Sequence, residues 1–155
     1  LMIKINVILK NEIWKKYLKN PHIFINKKIR LLNKKNKLYK KKSLTCNLLL
    51  SDTSGIKKLN KKFRKKNKST DVLSFPFYNR QDLNKKIKKE KKVFLGDIII
   101  NLYKIKNKDD KGEFQNELNK IWIHGLLHLF GHKHKKKKDF NIMRKVEERY
   151  LNYIN

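Results

Sequence analysis

The chain alternates between short β-patterned runs and longer stretches with apolar residues at helical spacing. Ile3 to Leu9 (IKINVIL) alternates apolar and polar positions and predicts a strand. Asn11 is placed to cap a helix from Glu12, with Trp14, Tyr17 and Leu18 at helical spacing. Pro21 interrupts it, and a second helical run follows through Ile25, Ile29, Leu31 and Leu32. Asn33 to Lys42 is lysine-rich and predicts a solvated loop. Leu44 to Leu50 (LTCNLLL) predicts a strand. Ser51, Asp52 or Thr53 then starts a helix to about Arg64, with Ile56, Leu59, Asn60 and Phe63 on one side. Thr70 to Phe77 (TDVLSFPF) is β-rich, and Pro76 restricts it to an edge or a strand end. Tyr78 to Lys92 is polar and predicts an exposed hairpin or loop. Val93 to Ile100 (VFLGDIII) is the next strand, with Gly96 marking a bulge or a close backbone approach. Asn101 to Lys106 reads as a helical turn or short helix and Asp109 to Gly112 as a break. Glu113 to Phe130 is the longest helix. Its first half is amphipathic, and its second half is apolar all round except for two histidines. Asp139 opens a last helix through Ile142, Met143, Val146, Tyr150 and Leu151. Strands followed by helices predict one α+β domain over residues 1–155, a small mixed sheet packed on helices.

Composition supports a single core. The 155 residues are 39% hydrophobic, enough for a globular chain although 35% are charged. No apolar run reaches the length of a membrane span, and the N-terminal residues lack a signal-peptide cleavage pattern. The single cysteine, Cys46, has no partner for an internal disulfide, which fits a reduced cytoplasmic setting. The net charge of +29 permits an RNA partner but does not diagnose one. Abundant Lys, Asn and Ile are what A+T-biased codons would produce, whatever the function. The scarce arginines (Arg30, Arg64, Arg80, Arg144 and Arg149) carry more information, because a guanidinium fork does what an ammonium cannot.

His124 to His134 (HGLLHLFGHKH) carries the chemistry. His124 and His128 stand at i and i+4, on one face of a helix. Gly131 can end that helix in the left-handed conformation and bring His134 back to the same point. Three imidazoles with a fourth position open form a catalytic rather than a structural zinc arrangement. His132, next to the turn glycine, reads as an outer neighbour rather than a ligand. The spacing matches the zinc-protease pattern H-E-x-x-H-x-x-G-x-x-H. Position 125, however, is Gly where a protease has its general-base Glu. A phosphodiester, which brings charged oxygens of its own, suits such a site better than an amide.

The same motif is similar to H-G-x-L-H-L-x-G-Y-D-H of the YbeY family of bacterial metal-dependent endoribonucleases. LNKKFRKKNKSTDVLSFPF (Leu59 to Phe77) and LGDIII (Leu95 to Ile100) resemble two further motifs of that family in order and spacing. Met143 and Glu147 fall where its last helix has Met and Glu. The likeness is strongest from about residue 44 onward. It implies a zincin-like fold and one Zn2+ held by His124, His128 and His134. It also implies cleavage of single-stranded RNA, with action on ribosomal RNA (maturation of the 16S 3′ end) and in ribosome quality control. It makes Arg64 the functional arginine. By its own position, Arg64 could offer a fork to a scissile phosphate or simply place charge at a helix C-terminus. Ser74 and Phe75 either line the substrate groove or pack as ordinary edge-strand residues. Asp97 and Asp71 each either orient a ligand histidine or cap local structure. Two departures stand out: His132-Lys133 replaces Tyr-Asp, and Lys135 to Lys138 replaces an acidic run. The rival readings are a ribosome-assembly factor that uses zinc only for folding, and a metallo-amidohydrolase or protease.

Overall fold

The computed structural model describes residues 2–36 and 41–155. β1 (Met2–Leu9) is followed by a single helical turn, α1 (Trp14–Tyr17), and by α2 (Pro21–Lys35). Pro21 is the first residue of α2, where its missing N–H costs nothing, and the Asn20 side chain accepts from Ile23 N at 3.1 Å. The helix therefore runs into the stretch expected to be a loop; of the rest of that stretch, residues 37–40 lie outside the described residues.

β2 (Ser43–Ser51) leads into α3 (Thr53–Arg64), capped by Asp52, whose carboxylate accepts from Gly55 N at 2.8 Å. β3 (Val72–Pro76), α4 (Arg80–Lys89) and β4 (Lys92–Asn101) follow. A 3-10 turn (Leu102–Lys104) then leads to α5 (Lys111–Leu129) and α6 (Lys137–Ile154). Both long helices start two residues before the expected positions.

α4 corrects the expectation of a hairpin or loop over 78–92. Eight of its ten residues are polar or charged, and only Leu83 and Ile87, at i and i+4, are buried. Asn79 caps it by accepting from Asp82 N at 2.9 Å. Two apolar residues and a cap suffice because the partner surface is the main core, which a sequence pattern cannot display.

The four-stranded sheet has the order β1-β2-β4-β3. β1, β2 and β4 are parallel, and β3 runs antiparallel on the edge beside β4, as Pro76 requires. The β2–β4 register slips between Thr45 and Cys46, leaving Leu95 as the extra residue before Gly96 (φ +133°). Strand alternation separates two faces. Ile3, Ile5, Leu44, Leu48, Leu50, Ile98 and Ile100 face the core shared with α2, α5 and α6. Leu73 and Ile99 face the other way, under Ile56 and Leu59 of α3. That alternation decides which side chains of β3 and β4 can reach the histidines.

Candidate metal centre and its cavity

The histidine helix is positioned by burial on three sides. Trp122, Ile123, Leu126, Leu127 and Leu129 of α5 are all buried. Gly125 is pressed onto the sheet: an added Cβ would lie 2.7 Å from Ile98 Cγ2 and 3.2 Å from Ser74 Oγ. The helix ends in a Schellman turn, with Gly131 N donating to the His128 carbonyl at 2.9 Å and His132 N to the Leu127 carbonyl at 3.0 Å. Gly131 has φ +86°, and a Cβ there would meet Arg80 Cβ at 2.8 Å, so both backbone and space demand glycine.

The turn delivers His134 to the other two rings. Ring centroids are 4.7 Å apart for His124–His128, 5.0 Å for His128–His134 and 5.5 Å for His124–His134. One ligand nitrogen from each lies within 4.8 Å of the others. His132 stays outside this group, as its position beside the glycine suggested.

Two rings are oriented from behind. His128 Nδ1 lies 2.9 Å from the His132 carbonyl, and His124 Nδ1 lies 3.2 Å from Glu147 Oε1 on α6. Both partners are acceptor oxygens, so each ring donates through Nδ1 and, when neutral, presents a bare Nε2. The two Nε2 atoms face each other at 3.1 Å. Bare lone pairs at that distance repel unless a cation lies between them, so the donor set fits a metal ion. Burial first, and then the neighbouring His124 ring, push His128 down to about 4, leaving it neutral and free to ligate at pH 7.

The histidines open into a cavity of about 720 Å³, which Arg64, Ser74, Phe77 and Arg80 also line. Arg64 reaches it from the end of α3, where Lys65 in the left-handed conformation (φ 57°) turns the chain away. Arg64 Nη2 donates to the Ser74 carbonyl at 2.8 Å, and its guanidinium lies 5.4 Å from the Phe75 ring centroid. Strand alternation divides the β3 pair. Ser74 is buried on the α5 side, with Oγ donating to the Gly125 carbonyl at 3.2 Å. Phe75 points to the α3 side, where it backs Arg64 and meets Phe63 edge-on at 5.5 Å. Phe75 therefore supports the arginine instead of lining the groove.

Among the described residues, neither aspartate hydrogen-bonds a histidine. Asp97 lies on the sheet face opposite α5, where its carboxylate accepts from Asn47 Nδ2 at 2.8 Å and ends a ladder that begins at Asn6. Asp71 does reach the cavity rim, but its carboxylate is engaged in its own turn by Val72 N at 2.8 Å and Thr70 Oγ1 at 3.0 Å. The orienting groups are Glu147 and the His132 carbonyl. Spacing gave no access to either, because one is on another helix and the other is backbone. The coincidence of Glu147 with a family position was the available signal.

Fold and site together define an α+β domain with a three-histidine centre suited to a metal ion. A sequence model of the family described as Endoribonuclease YbeY matches residues 9–155, and the chain belongs to that family. An Endoribonuclease YbeY of Pelagibacter ubique is 44% identical over 156 residues, covering 99% of this chain and 97% of that one. One of Karelsulcia muelleri is 40% identical over 67 residues, 42% of this chain and 48% of the other. A Thermotoga maritima protein solved in solution shares the fold, with a TM-score of 0.59 at 24% identity over 97% of this chain and 89% of that one. No helix among the described residues is long and apolar enough to cross a membrane.

Proposed function

We propose that the protein is a zinc-dependent endoribonuclease that cuts single-stranded RNA. We assign it to the cytoplasm, to maturation of the 16S ribosomal RNA 3′ end and to ribosome quality control. The observation that carries the catalytic reading is the single cavity shared by three convergent imidazoles and Arg64 beside the edge strand β3. The ribosomal assignment rests on the family likeness.

His124, His128 and His134 would hold the ion, the first two through Nε2. Bound there with a position open, zinc supplies Lewis acidity toward a phosphate oxygen or a water molecule. Glu147 and the His132 carbonyl keep the rings in the ligating tautomer. The Ser74 carbonyl and the Phe75 ring hold the Arg64 guanidinium in place with further N–H donors left for a phosphate, whose negative charge grows in the transition state. Lys133 and Lys135 on the cavity rim attract the RNA backbone and make binding salt-dependent. The amide-hydrolase alternative would need a carboxylate at position 125, where the sheet leaves no room for a side chain.

The test is zinc content together with RNA cleavage for wild type, His128→Ala and Arg64→Ala at two salt concentrations. Wild type is expected to hold one zinc ion and cut RNA, and His128→Ala to lose both. Arg64→Ala is expected to keep the zinc and lose on the order of 10²–10³ in rate. Full cleavage by Arg64→Ala, or peptide cutting without RNA cutting, would overturn the reading. Zinc loss that lowers only the melting temperature would favour the non-catalytic assembly factor.

A further inference from the structure

The histidine cavity has a second wall, built by residues 77–80 where β3 runs into α4. Pro76 has no N–H to donate, and pairing with β4 is extended by Phe77, whose N–H donates to the Leu95 carbonyl at 2.9 Å. Phe77 and Leu95 simply continue the regular β3–β4 register one pair beyond Pro76 and Gly96. The Phe77 backbone is thus fixed, yet its side chain is 64% exposed. Its ring meets Tyr78 (5.0 Å, 75°) and Phe94 (5.7 Å, 71°) only at steep, edge-type angles. Those contacts hold the ring without covering it.

Arg80 stands three residues on. Its stem packs against Gly131 of the histidine turn, and the residue as a whole is exposed. Among the described residues, no acid forms an ion pair with it. Arginine is scarce in this lysine-rich chain, yet Arg64 and Arg80 both line this one cavity. An isolated exposed phenylalanine is ordinary. One pinned at a cationic cavity, next to an unpaired guanidinium, matches an anionic ligand that carries flat rings.

We propose that Phe77 and Arg80 form a nucleotide subsite beside the histidines. It takes one unpaired base on the Phe77 ring and the attached phosphate on the Arg80 guanidinium. The proposal rests on the RNA reading above and adds a source of strand selectivity to it. A base inside a duplex has both faces covered by its neighbours, whereas an unpaired base can swing onto an aromatic side chain. At about 720 Å³ the cavity is of the size that takes a small organic ligand.

The test is equilibrium binding of the full chain to a short 2′-O-methyl strand that is recovered intact, with 2-aminopurine in place of one base to report stacking. Phe77→Ala should weaken binding roughly 5- to 150-fold and relieve the 2-aminopurine quenching, and Phe77→Trp should restore both. A strand made abasic at the stacked position should bind Phe77→Ala and wild type alike. Arg80→Ala should reduce the slope of log K against log salt by about 0.7. Melting curves establish that each variant folds. A folded Phe77→Ala that keeps wild-type affinity, or that loses the same factor on the abasic strand, overturns the subsite. If wild type cuts RNA and Phe77→Ala binds and cuts equally well, the subsite fails while the cleavage reading stands. If Phe77-dependent binding persists but zinc-loaded wild type leaves RNA uncut, the subsite stands and the cleavage reading fails.

Discussion

Glu147 gives the sharpest test of how the metal centre is built. Its carboxylate lies 3.2 Å from His124 Nδ1, and the two side chains are 23% and 31% exposed. A hydrogen bond to a charged group contributes about 1.5–3 kcal/mol, and partial exposure places this one near the low end. About 1.4 kcal/mol is tenfold in an equilibrium constant. Glu147→Gln keeps an acceptor for the ring and loses the charge, so zinc affinity should fall about 10-fold. Glu147→Ala loses the acceptor as well and should approach 100-fold, the upper range for removing a ligand's orienting partner. Chelator competition at pH 7.5 measures both, with melting of the metal-free proteins as the control for folding. Asp97→Asn is the contrasting variant. Its side chain is committed to Asn47 across the sheet, so zinc affinity should be unchanged. If Asp97→Asn weakened zinc and Glu147→Ala did not, the reasoning from these contacts would be refuted.

Two further outcomes follow from the packing around the site. Gly125→Ala places a methyl 2.7 Å from Ile98 Cγ2, so overpacking of about 1–3 kcal/mol should outweigh the roughly 0.5–1 kcal/mol that alanine gains inside a helix. Urea melts should show net destabilisation, and a more stable variant would contradict the close approach. Asp52 caps the helix that carries Arg64. Hydrogen bonds from Gly55 N first, and then from Asn11, hold its carboxyl below the usual range. A depressed folded-state pKa gives stability that is present above the unfolded value near ~3.9 and lost as pH falls through the folded value. Asp52→Ala should therefore cost about 0.5–2 kcal/mol at pH 7, and the difference from wild type should shrink below about pH 4. A gap that stays constant from pH 7 to pH 3 would show that the charge contributes nothing.

The elements that were legible in advance are those whose signal is local. The alternation of Ile3 to Leu9, the edge position forced by Pro76 and the bulge at Gly96 all appear as expected. α4 carries no local signal because eight of its ten residues are polar or charged and its two buried residues gain their meaning only from the core they meet. Asp97 was a reasonable partner for a histidine until the period of the strand put it on the other face of the sheet.

By itself, the sequence determined the histidine cluster, because i, i+4 and a turn glycine are properties of one helix and its end. It also determined the loss of the carboxylate at position 125. Tertiary structure decided everything that needs two elements to meet. It placed Glu147 behind His124, set Arg64 on the Ser74 carbonyl, sent Ser74 and Phe75 to opposite faces, and brought Phe77 and Arg80 to the histidine cavity. The physical reason is range. Backbone periodicity fixes direction over one or two turns, whereas contacts between residues tens of positions apart depend on register and packing that no local pattern encodes.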